Sequence, residues 1–288
     1  MDKEKISVIV TLYNRLEYAR NIIISLLHQT KMIDELIFAD DGSRNDVTNI
    51  IKDLIEICPF KIKIVYQEDI GFRLARSRNN GVRIATSEFL ILLDQDIIMP
   101  ENFIERVYNK RKKKVIISVR GFLTTEEQKN KIQNIIDTKY DYNEIYNILY
   151  NKKDDDFFQK IITKDKIYSF LYKLRLRRRG AKMVGLMSAL YKEDYVAING
   201  FDDKYKGWGK EDDDFCNRFY KYGGNVYPIR LEKYLIHMYH PFSNTKAESL
   251  NEKYYQKRKQ EISSKNYRAI NGYINSIDDD EIRVKILK

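Results

Sequence analysis

The sequence has 288 residues, and its 52 Lys and Arg against 42 Asp and Glu give a formal net charge of +10. Hydrophobic residues make up 43% of it and aromatic residues 12%, which excludes an intrinsically disordered chain. Its two cysteines are too few for a disulfide framework, and its longest apolar run, residues 89–93, is too short to span a membrane. The charged N-terminus shows no secretory signal, so we expect a cytoplasmic protein.

Strand and helix signals alternate through the first 93 residues. The predicted strands cover residues 6–12, 35–39, 61–66 and 89–93, and the predicted helices cover residues 16–28, 47–57 and 74–85. This order predicts an α/β fold with a mostly parallel, doubly wound, Rossmann-like sheet. Because ligands bind at the carboxyl ends of the strands in such sheets, the polar residues at those ends are the first candidates for a site.

The rest of the chain alternates less clearly. A helix is predicted over 102–113, a strand over 115–119, and helices through the charged, Tyr-rich stretch 124–179, with a mobile part around 152–156. The α/β signal resumes at Met183. A helix then follows Asp212, short strands fit 226–229 and 234–238, and a polar helix over 246–271 precedes a tail.

The excess positive charge lies in the middle of the chain. Residues 103–180 carry 20 basic and 10 acidic side chains, whereas residues 1–102 carry 13 and 16. A charge confined to one segment indicates a partner of that segment rather than a property of the fold. The basic run 173–179 has two interpretations: a solvated charge run, or a surface for anionic lipid headgroups, a lipid pyrophosphate or an acidic glycan.

Two carboxylates directly follow the fourth predicted strand. Asp94 and Asp96, separated by Gln95, can face one cation because the chain there is leaving strict strand alternation. Hard oxygen ligands suit Mg²⁺ or Mn²⁺, particularly when phosphate oxygens complete the shell. The alternative is a solvated acidic turn, but the position at the end of a buried strand favours the metal.

A second acidic turn, with Asp40 and Asp41 followed by Gly42, ends the second predicted strand. A carboxylate there can accept a hydrogen bond from a nucleobase N–H or a ribose hydroxyl, and glycine permits the tight turn. The alternative is an ordinary turn in which Ser43 or Asn45 caps the next helix. The residues alone leave the two interpretations about even.

Basic residues cluster at the start of the third predicted helix, where Arg73, Arg76 and Arg78 lie close in sequence. A spacing of three puts Arg73 and Arg76 on one face of the helix. Because a planar guanidinium matches phosphate and carboxylate oxygens, this face can lie near a nucleotide. The alternative is a solvated helix that happens to be basic.

The string GWGK at residues 207–210 is followed by four consecutive acids, residues 211–214. Like charges so close repel each other, and folding does not require them. Trp208 offers a flat face for a sugar ring. A carboxylate at a helix N-terminus stays ionised, so Asp212 or Glu211 can act as a general base near neutral pH. For Asp213 and Asp214 we favour the alternative, in which they only form an acidic helix N-terminus or have a structural role.

Two of the three histidines, His237 and His240, lie at the end of a predicted strand. Histidine is a frequent metal ligand. The alternative is a pair of packed or surface side chains, and for His237 we favour it. A spacing of three does not by itself make a zinc site, and the sequence offers no obvious third nitrogen or sulfur ligand.

Taken together, these strings resemble the nucleotide-sugar-dependent glycosyltransferases of family 2, which have the GT-A fold. The strings VIVTLYNR at 8–15, DDGS at 40–43, RNNG at 78–81 and LLDQD at 92–96 occur in the order of that family. Two later strings, AINGFD at 197–202 and GWGKED at 207–212, look like the carboxyl-terminal half shared by β-1,4-galactosyltransferases and bacterial chondroitin polymerases. The resemblance leaves out most of 121–179 and the tail.

The resemblance implies a UDP-sugar donor and a divalent metal. Thr11, Tyr13 and Asp41 match positions that hold uridine. Asp96 matches the direct metal ligand of an Asp-x-Asp pair, and His240 matches a histidine that completes the metal shell. A nitrogen ligand beside a carboxylate favours Mn²⁺ over Mg²⁺. Further candidates for binding the UDP-sugar are Arg15, Asp40, Arg73, Arg78, Asp94, Gln95 and Trp208.

The resemblance also implies inverting transfer to an acceptor hydroxyl. Asp212 matches the catalytic base, and Trp208 and Glu211 match the platform for the donor and acceptor sugars. The galactosyltransferases usually carry a second glycine where Lys210 stands, which implies a difference in loop mobility or sugar contacts. The expected donor sugar is galactose, N-acetylgalactosamine or similar. The expected acceptor is a glycan or lipid-linked saccharide of bacterial surface polysaccharide, such as capsule.

This interpretation divides the chain into four parts. Residues 1–120 form the nucleotide-sugar-binding half, 121–180 a basic helical insertion, 181–245 the acceptor and catalytic half of the same GT-A domain, and 246–288 a helical tail. The insertion is where we expect acceptor recognition or peripheral contact with an anionic membrane, at the inner face of the cell membrane.

Three other functions stay open at this point. One is a retaining or otherwise different GT-A enzyme, such as one that uses a GDP- or dTDP-sugar, and another is a non-catalytic sugar-binding module. The third is a basic nucleic-acid-binding protein with its patch at 110–114 and 173–179, but no nucleic-acid-binding module is recognisable and acids dominate the sheet edge. We therefore expect no nucleic-acid partner.

Overall fold

The computed structural model describes residues 4–241 and 250–288. Its strands in chain order are β1 (Ile6–Leu12), β2 (Glu35–Asp40), β3 (Lys61–Gln67), β4 (Phe89–Asp94), β5 (Ile97–Ile98), β6 (Val115–Ser118), β7 (Gly121–Leu123), β8 (Met187–Tyr191), β9 (Asn225–Pro228), β10 (Leu235–His237) and β11 (Ile282–Ile286). Its helices are α1 (Glu17–Leu27), α2 (Thr48–Ile55), α3 (Leu74–Ile84), α4 (Phe103–Asn109), α5 (Glu126–Thr138), α6 (Tyr142–Leu149), α7 (Lys152–Lys173), α8 (Lys192–Ala197), α9 (Glu211–Lys221) and α10 (Glu252–Glu261).

The main sheet has the strand order β11-β3-β2-β1-β4-β8-β6-β9. Strands β3, β2, β1 and β4 run parallel, and β8 joins β4 antiparallel. Helices α1 and α2 pack on one face of the parallel strands and α3 packs on the other. Strands buried on both faces read as continuous apolar runs, which is why the sequence located them. The predicted α/β fold with a mostly parallel sheet is confirmed.

The strand register aligns the carboxyl ends of β1, β2 and β4. Thr11 in β1 pairs with Ala39 on one side and with Asp94 on the other. Leu12 pairs with Asp40 in the same register. The polar residues that follow these three strands therefore lie at one edge of the sheet.

A second, three-stranded sheet with the order β5-β10-β7 lies beside that edge. β10 runs antiparallel to β5, with His237 opposite Ile97. The backbone N–H of Met238 donates to the carbonyl oxygen of Asp96 at 2.8 Å. These contacts bring the segment 235–240, from the second half of the chain, against the loop that carries Asp96.

The stretch 124–173 is helical, as predicted, and it has clear helix signals. Thr125 and Gln128 form a reciprocal capping box at the start of α5. The predicted mobile part around 152–156 is instead the beginning of α7, because the side chain of Asn151 accepts from the N–H of Asp154 at 2.9 Å. In the described part of the chain, no helix is long and apolar enough to cross a membrane.

The C-terminal segment differs from the predicted polar helix and tail. Helix α10 covers only Glu252–Glu261, and residues 246–249 of the predicted helix lie outside the described residues. Residues 282–286 form β11, which pairs antiparallel with β3. Most side chains of β11 are exposed, so this edge strand lacks the apolar run that marks the buried strands.

The segment before β11 carries acids that pair with two buried arginines at the start of α3, Arg73 just before the helix and Arg76 within it. The Nη1 atom of Arg73 lies 2.8 Å from Oδ1 of Asp280 and 3.2 Å from Oδ2 of Asp278. Arg76 contacts Asp280 as well. Both arginine side chains are almost fully buried, so the tail supplies the negative charge that they need.

We expect Asp280→Ala to lower the free energy of unfolding by about 3–5 kcal/mol, because it leaves two buried guanidinium groups without their main partner. Urea denaturation measures this loss. The matched control is Asp279→Ala, since Asp279 is its exposed neighbour, and it should change stability by less than about 0.5 kcal/mol. Equal stability of the two variants would contradict the structural role of the pairing.

Candidate active site

Three side chains from two parts of the chain meet at the sheet edge. The Nε2 atom of His237 lies 3.0 Å from Oδ1 of Asp96, and Nε2 of His240 lies 3.2 Å from Oδ2 of the same carboxylate. The three potential ligand atoms all lie within 4.8 Å of one another. One carboxylate oxygen with two imidazole nitrogens is a set that divalent transition metals accept.

The polar atoms around this cluster fit a metal ion. Oδ1 of Asp96 is buried and accepts no hydrogen bond of normal geometry from the described residues. Nδ1 of His240 lies 2.9 Å from the carbonyl oxygen of Pro241, so Nδ1 donates its proton there and Nε2 presents a lone pair to the cluster. Burial lowers the pKa of His240, which favours the neutral ring that a metal requires.

His237 is a member of the cluster, although the sequence pattern favoured a packed or surface position for it. Burial by itself lowers the pKa of His237. The contact with the carboxylate of Asp96 and its negative charge outweigh burial, so the pKa of His237 is above its ordinary value. Burial also disfavours the charged form of Asp96, and the two imidazoles outweigh it, so the pKa of Asp96 is below its ordinary value. The one sequence signal for His237 was its neighbour His240, three residues on.

Arg78 connects the end of β4 with the start of α9. Its Nη1 lies 2.9 Å from Oδ1 of Asp212, and its Nη2 lies 3.2 Å from Oδ1 of Asp94. The guanidinium also stands over the ring of Phe201, 4.9 Å from its centre. Burial opposes the charge, but the neighbouring carboxylates raise the pKa of Arg78. The sequence-predicted residues Arg78, Asp94 and Asp212 thus form one chain of contacts, in which the buried Arg78 joins two half-buried carboxylates.

The first two residues of α9 have different electrostatic surroundings. Glu211 is 7% exposed, and burial together with the charge of Asp212 raises the pKa of Glu211 to about 8. Asp212 accepts a hydrogen bond from Arg78, which stabilises negative charge on it. The two neighbouring carboxyl groups therefore have different surroundings, as the acid and the base of an active site do.

Gly185 gives Asp212 room beside the backbone. A Cβ atom at position 185 would lie 2.3 Å from Oδ2 of Asp212, so no other residue fits without moving the carboxylate. Sequence reasoning did not find this glycine, because it stands between predicted elements and belongs to no recognised string.

The loop after β1 is strained and reaches the cluster. Asn14 and Arg15 have φ of 49° and 46°, which is costly for residues with a Cβ and is common near functional sites. The N–H of Tyr13 donates to Oε1 of Gln95 at 3.0 Å. Nη1 of Arg15 lies 3.6 Å from Oδ2 of Asp96. Tyr13, Arg15 and Gln95 are therefore brought together with the metal candidates.

The two acids after β2 have different surroundings. Asp40 accepts the backbone N–H of Ser43 at 2.8 Å and so stabilises the turn. Asp41 accepts from the backbone N–H of Arg73 at 2.7 Å and from the side chain of Gln67. Burial raises the pKa of Asp41 to about 7. The guanidinium of Arg73 faces the tail, so Arg73 contacts this part of the site through its backbone.

The loop 207–210 is held by residues at the start of α10. It carries Trp208, which is 43% exposed. Lys210 has φ of 77°, a conformation that favours glycine. Its Nζ lies 2.7 Å from Oε2 of Glu252, and the side chain of Asn251 donates to the carbonyl oxygen of Gly209 at 2.8 Å. Contacts from the start of α10 therefore support the left-handed backbone at Lys210, the position where the galactosyltransferases usually carry a glycine.

Comparison with known proteins identifies two family models along the chain. The model of glycosyl transferase family 2 matches residues 7–181, more than half of the chain. The model described as the N-terminal domain of galactosyltransferase matches residues 165–241. The second match contains Glu211, Asp212 and both histidines of the cluster.

Curated relatives match parts of the chain. Validoxylamine A glucosyltransferase of Streptomyces hygroscopicus subsp. jinggangensis is 22% identical over 76% of this chain and 52% of its own length. Glycosyltransferase GlyG of Streptococcus pneumoniae serotype 4 is 33% identical over 38% of this chain and 36% of its own. Chondroitin synthase of Escherichia coli is 32% identical over 32% of this chain and 13% of its own. The chain spans about half the length of these relatives, or less.

Among solved structures, residues 1–349 of S. aureus TarS in complex with UDP align with a TM-score of 0.51. The identity is 13%, over 82% of this chain and 61% of that chain, so this likeness concerns the fold alone. It agrees with the α/β architecture and the mostly parallel sheet described above, which is that of the GT-A glycosyltransferases. With the family match over 7–181, the chain belongs to glycosyl transferase family 2.

Proposed function

We propose that this protein is a glycosyltransferase that moves a sugar from a UDP-sugar to a hydroxyl group of a glycan or lipid-linked glycan, with inversion at the anomeric carbon. The observation that carries the proposal is a juxtaposition at one sheet edge. The cluster of Asp96, His237 and His240 lies beside the contact chain from Asp94 through Arg78 to Asp212. The first group fits a cation for a diphosphate, and the second ends in a carboxylate suited to a base.

The metal-binding residues in this proposal are Asp96 and His240, joined by His237. When bound, a divalent ion there supplies Lewis-acid stabilisation of the negative charge that develops on the leaving diphosphate. Two nitrogen ligands beside one carboxylate favour Mn²⁺ over Mg²⁺.

Residues at the ends of β1, β2 and β4 bind the nucleotide and orient it. Thr11, Tyr13 and Asp41 hold uridine, and Asp40 and Gln95 fix the turns that carry them. Further contacts to the UDP-sugar come from Arg15, Arg78 and Asp94, whereas Arg73 acts indirectly, because its backbone N–H holds the carboxylate of Asp41. The UDP bound by TarS supports a uridine nucleotide as the donor.

Asp212 acts as the general base. It takes the proton of the acceptor hydroxyl as that oxygen attacks the anomeric carbon, and the bond between the sugar and UDP breaks on the opposite face. Arg78 holds the carboxylate in place through a hydrogen bond. Burial raises the pKa of Glu211, so in its protonated form this residue can donate a hydrogen bond to a sugar hydroxyl, and the ring of Trp208 forms a platform for the sugars.

Galactose, N-acetylgalactosamine or a similar sugar is the proposed donor group, because residues 165–241 match the galactosyltransferase model. The likeness to chondroitin synthase over 93 residues supports a role in surface polysaccharide or capsule synthesis. We propose that the enzyme works in the cytoplasm, peripheral to the inner face of the cell membrane.

Thermal-shift measurements with UDP, GDP and dTDP, each with and without Mn²⁺, test the choice of nucleotide. A ligand that binds only the folded state raises the melting temperature, and at equal ligand concentration a tighter ligand raises it more. We expect UDP to stabilise the protein most, and only when Mn²⁺ is present. A larger shift with GDP or dTDP would refute the UDP assignment, and equal shifts without Mn²⁺ would refute the metal role.

The variant Gly185→Ala tests the position of the base. Its Cβ displaces the carboxylate of Asp212, and a misplacement of about 1 Å at a reacting group costs roughly 100-fold in rate. We expect that loss in kcat, with an unchanged KM for the UDP-sugar and an unchanged melting temperature. Wild-type kcat in this variant would show that the tight contact has no role in catalysis.

A further inference from the structure

Helix α7 buries one face and exposes apolar side chains on the other. Its inner face carries the buried residues Ile162 and Ser169, and the hydroxyl of Ser169 donates to the carbonyl oxygen of Val226 at 2.6 Å. The outer face exposes Ile167 by 51% and Phe170 by 59%. A spacing of three places these two on one stripe of the helix, pointing away from the core.

The apolar stripe continues beyond the end of α7. Leu174 is 52% exposed and Leu176 is 70% exposed, while Phe157 extends the apolar surface at the other end with 57% exposure. Large apolar side chains grouped on a surface mark an interaction site more often than scattered ones do. We call this region, from Phe157 to Arg178, the 157–178 surface.

Basic side chains surround the apolar ones. All seven lysines and arginines between positions 157 and 178 are exposed, and the one acid in that stretch, Asp165, is buried. Asp165 pairs with Arg120 at 2.8 Å, so it does not offset the exposed charge. From Lys160 to Arg178 the exposed charges therefore all have one sign, with Lys160, Lys164, Lys166 and Lys173 on the helix and three arginines after it, whereas the exposed Asp154 and Asp156 lie near the start of α7 beside Phe157.

We propose that the 157–178 surface docks on an anionic phospholipid membrane. Apolar side chains at the centre of a basic helix face enter the boundary between headgroups and acyl chains, and the basic side chains bind the headgroup phosphates. Nucleic acid or an acidic glycan needs the charge but gains nothing from five large exposed apolar side chains. The combination of both features favours a lipid surface.

Contacts at its C-terminal end attach the 157–178 surface to the candidate site. Nη2 of Arg179 lies 3.2 Å from Oδ1 of Asp213, and Nζ of Lys182 lies 3.4 Å from the same atom. The hydroxyl of Tyr172 donates to the carbonyl oxygen of Tyr220 in α9 at 2.8 Å. Docking would therefore hold α9, which begins with Glu211 and Asp212, near the membrane. The reason to hold α9 near the membrane rests on the proposed transfer to a lipid-linked acceptor. The docking itself does not depend on that proposal.

Vesicle flotation of the full chain tests the proposal, with phosphatidylcholine vesicles and with vesicles that also contain phosphatidylglycerol. We expect binding to the anionic vesicles only, weakened by high salt. The triple variant Arg175→Glu, Arg177→Glu and Arg178→Glu should lower the partition coefficient about 100-fold, given the usual contribution of each basic residue near an anionic surface. Replacing Phe170 and Leu174 by Ser should weaken binding without a change in charge.

A matched control reverses three exposed lysines elsewhere, Lys52→Glu, Lys110→Glu and Lys112→Glu. It changes the net charge equally and should leave flotation near the wild-type level. The proposal is overturned if the control loses as much binding as the triple arginine variant. It is also overturned if wild type binds neither vesicle, or binds RNA or a soluble acidic polysaccharide instead. Thermal shift with UDP and Mn²⁺ on the same variants checks folding and tests the proposed function separately.

Discussion

Replacing Asp212 by Asn is expected to lower kcat for sugar transfer by about 10²–10⁴-fold, the usual contribution of a general base. The amide keeps the size of the side chain and can still face Arg78, but it cannot take the proton of the acceptor hydroxyl. Binding of UDP with Mn²⁺ should remain near the wild-type level, because the metal candidates lie on the Asp96 loop and on the His237–His240 segment. Kinetics with a UDP-release readout and calorimetric titration of UDP measure the two effects separately.

The neighbouring acid provides the matched control for this substitution. Asp213 is in the same turn of α9, but it pairs with Arg179 and Lys182 rather than with Arg78. We expect Asp213→Asn to retain most of the transfer activity. Near-normal turnover by Asp212→Asn would exclude Asp212 as the base. An equal loss in both variants would indicate a general effect on the helix N-terminus.

Replacing the metal candidates should act on nucleotide binding instead. Changing a residue that supports a metal ligand typically costs 10–100-fold in metal affinity, so the loss of a ligand should reach at least the upper end of that range. We expect Asp96→Asn and His240→Ala to weaken Mn²⁺-dependent UDP binding by about 100-fold or more. His237→Ala should behave in the same way, because its imidazole is as close to Asp96 as that of His240.

The third histidine supplies the control for these variants. His28 lies at the end of α1, where its ring packs 4.4 Å from that of Tyr140, and it is not part of the cluster. His28→Ala should leave the Mn²⁺ dependence of UDP binding unchanged. If Asp96→Asn binds UDP with wild-type Mn²⁺ dependence, the metal is held elsewhere or is not required.

The buried parallel strands were predictable because both of their faces are covered. Such strands read as apolar runs, and the runs that end at Leu12, Ala39 and Leu93 each stop at a polar residue. The parallel arrangement then brings those ends to one edge, and the observed register of Thr11 with Asp94 agrees. The order of strands and loops therefore predicted which polar residues meet at this edge.

The missed features depend on contacts between distant segments. His237 reaches Asp96 through β5 and β10, strands of two and three residues that are too short for a periodic pattern. Asp280 neutralises Arg73 and Arg76 across about two hundred residues of sequence, which no local spacing encodes. The same contact explains why the sequence suggested that Arg73 binds phosphate. In the sequence alone, an arginine that is free to bind a ligand looks the same as one that a distant acid neutralises.

Part of the uneven charge of the chain corresponds to a particular surface. The sheet edge combines the acids that a cation site requires with Arg15 and Arg78, whereas most of the exposed basic residues of the middle segment lie in two groups, one at 106–114 and one on α7 and the loop after it. The sequence placed this excess in the middle segment. The structure adds that seven of these basic side chains share a surface with five exposed apolar residues.

The most direct test is a UDP-release assay over a panel of UDP-sugars and saccharide acceptors, with Mn²⁺ and with a chelator in excess. We predict release from one or a few UDP-sugars, loss of release with the chelator, and loss in Asp212→Asn while Asp213→Asn remains active. Release that persists in the chelator and in Asp212→Asn, or release confined to GDP- or dTDP-sugars, would contradict metal-dependent transfer from a UDP-sugar at this site.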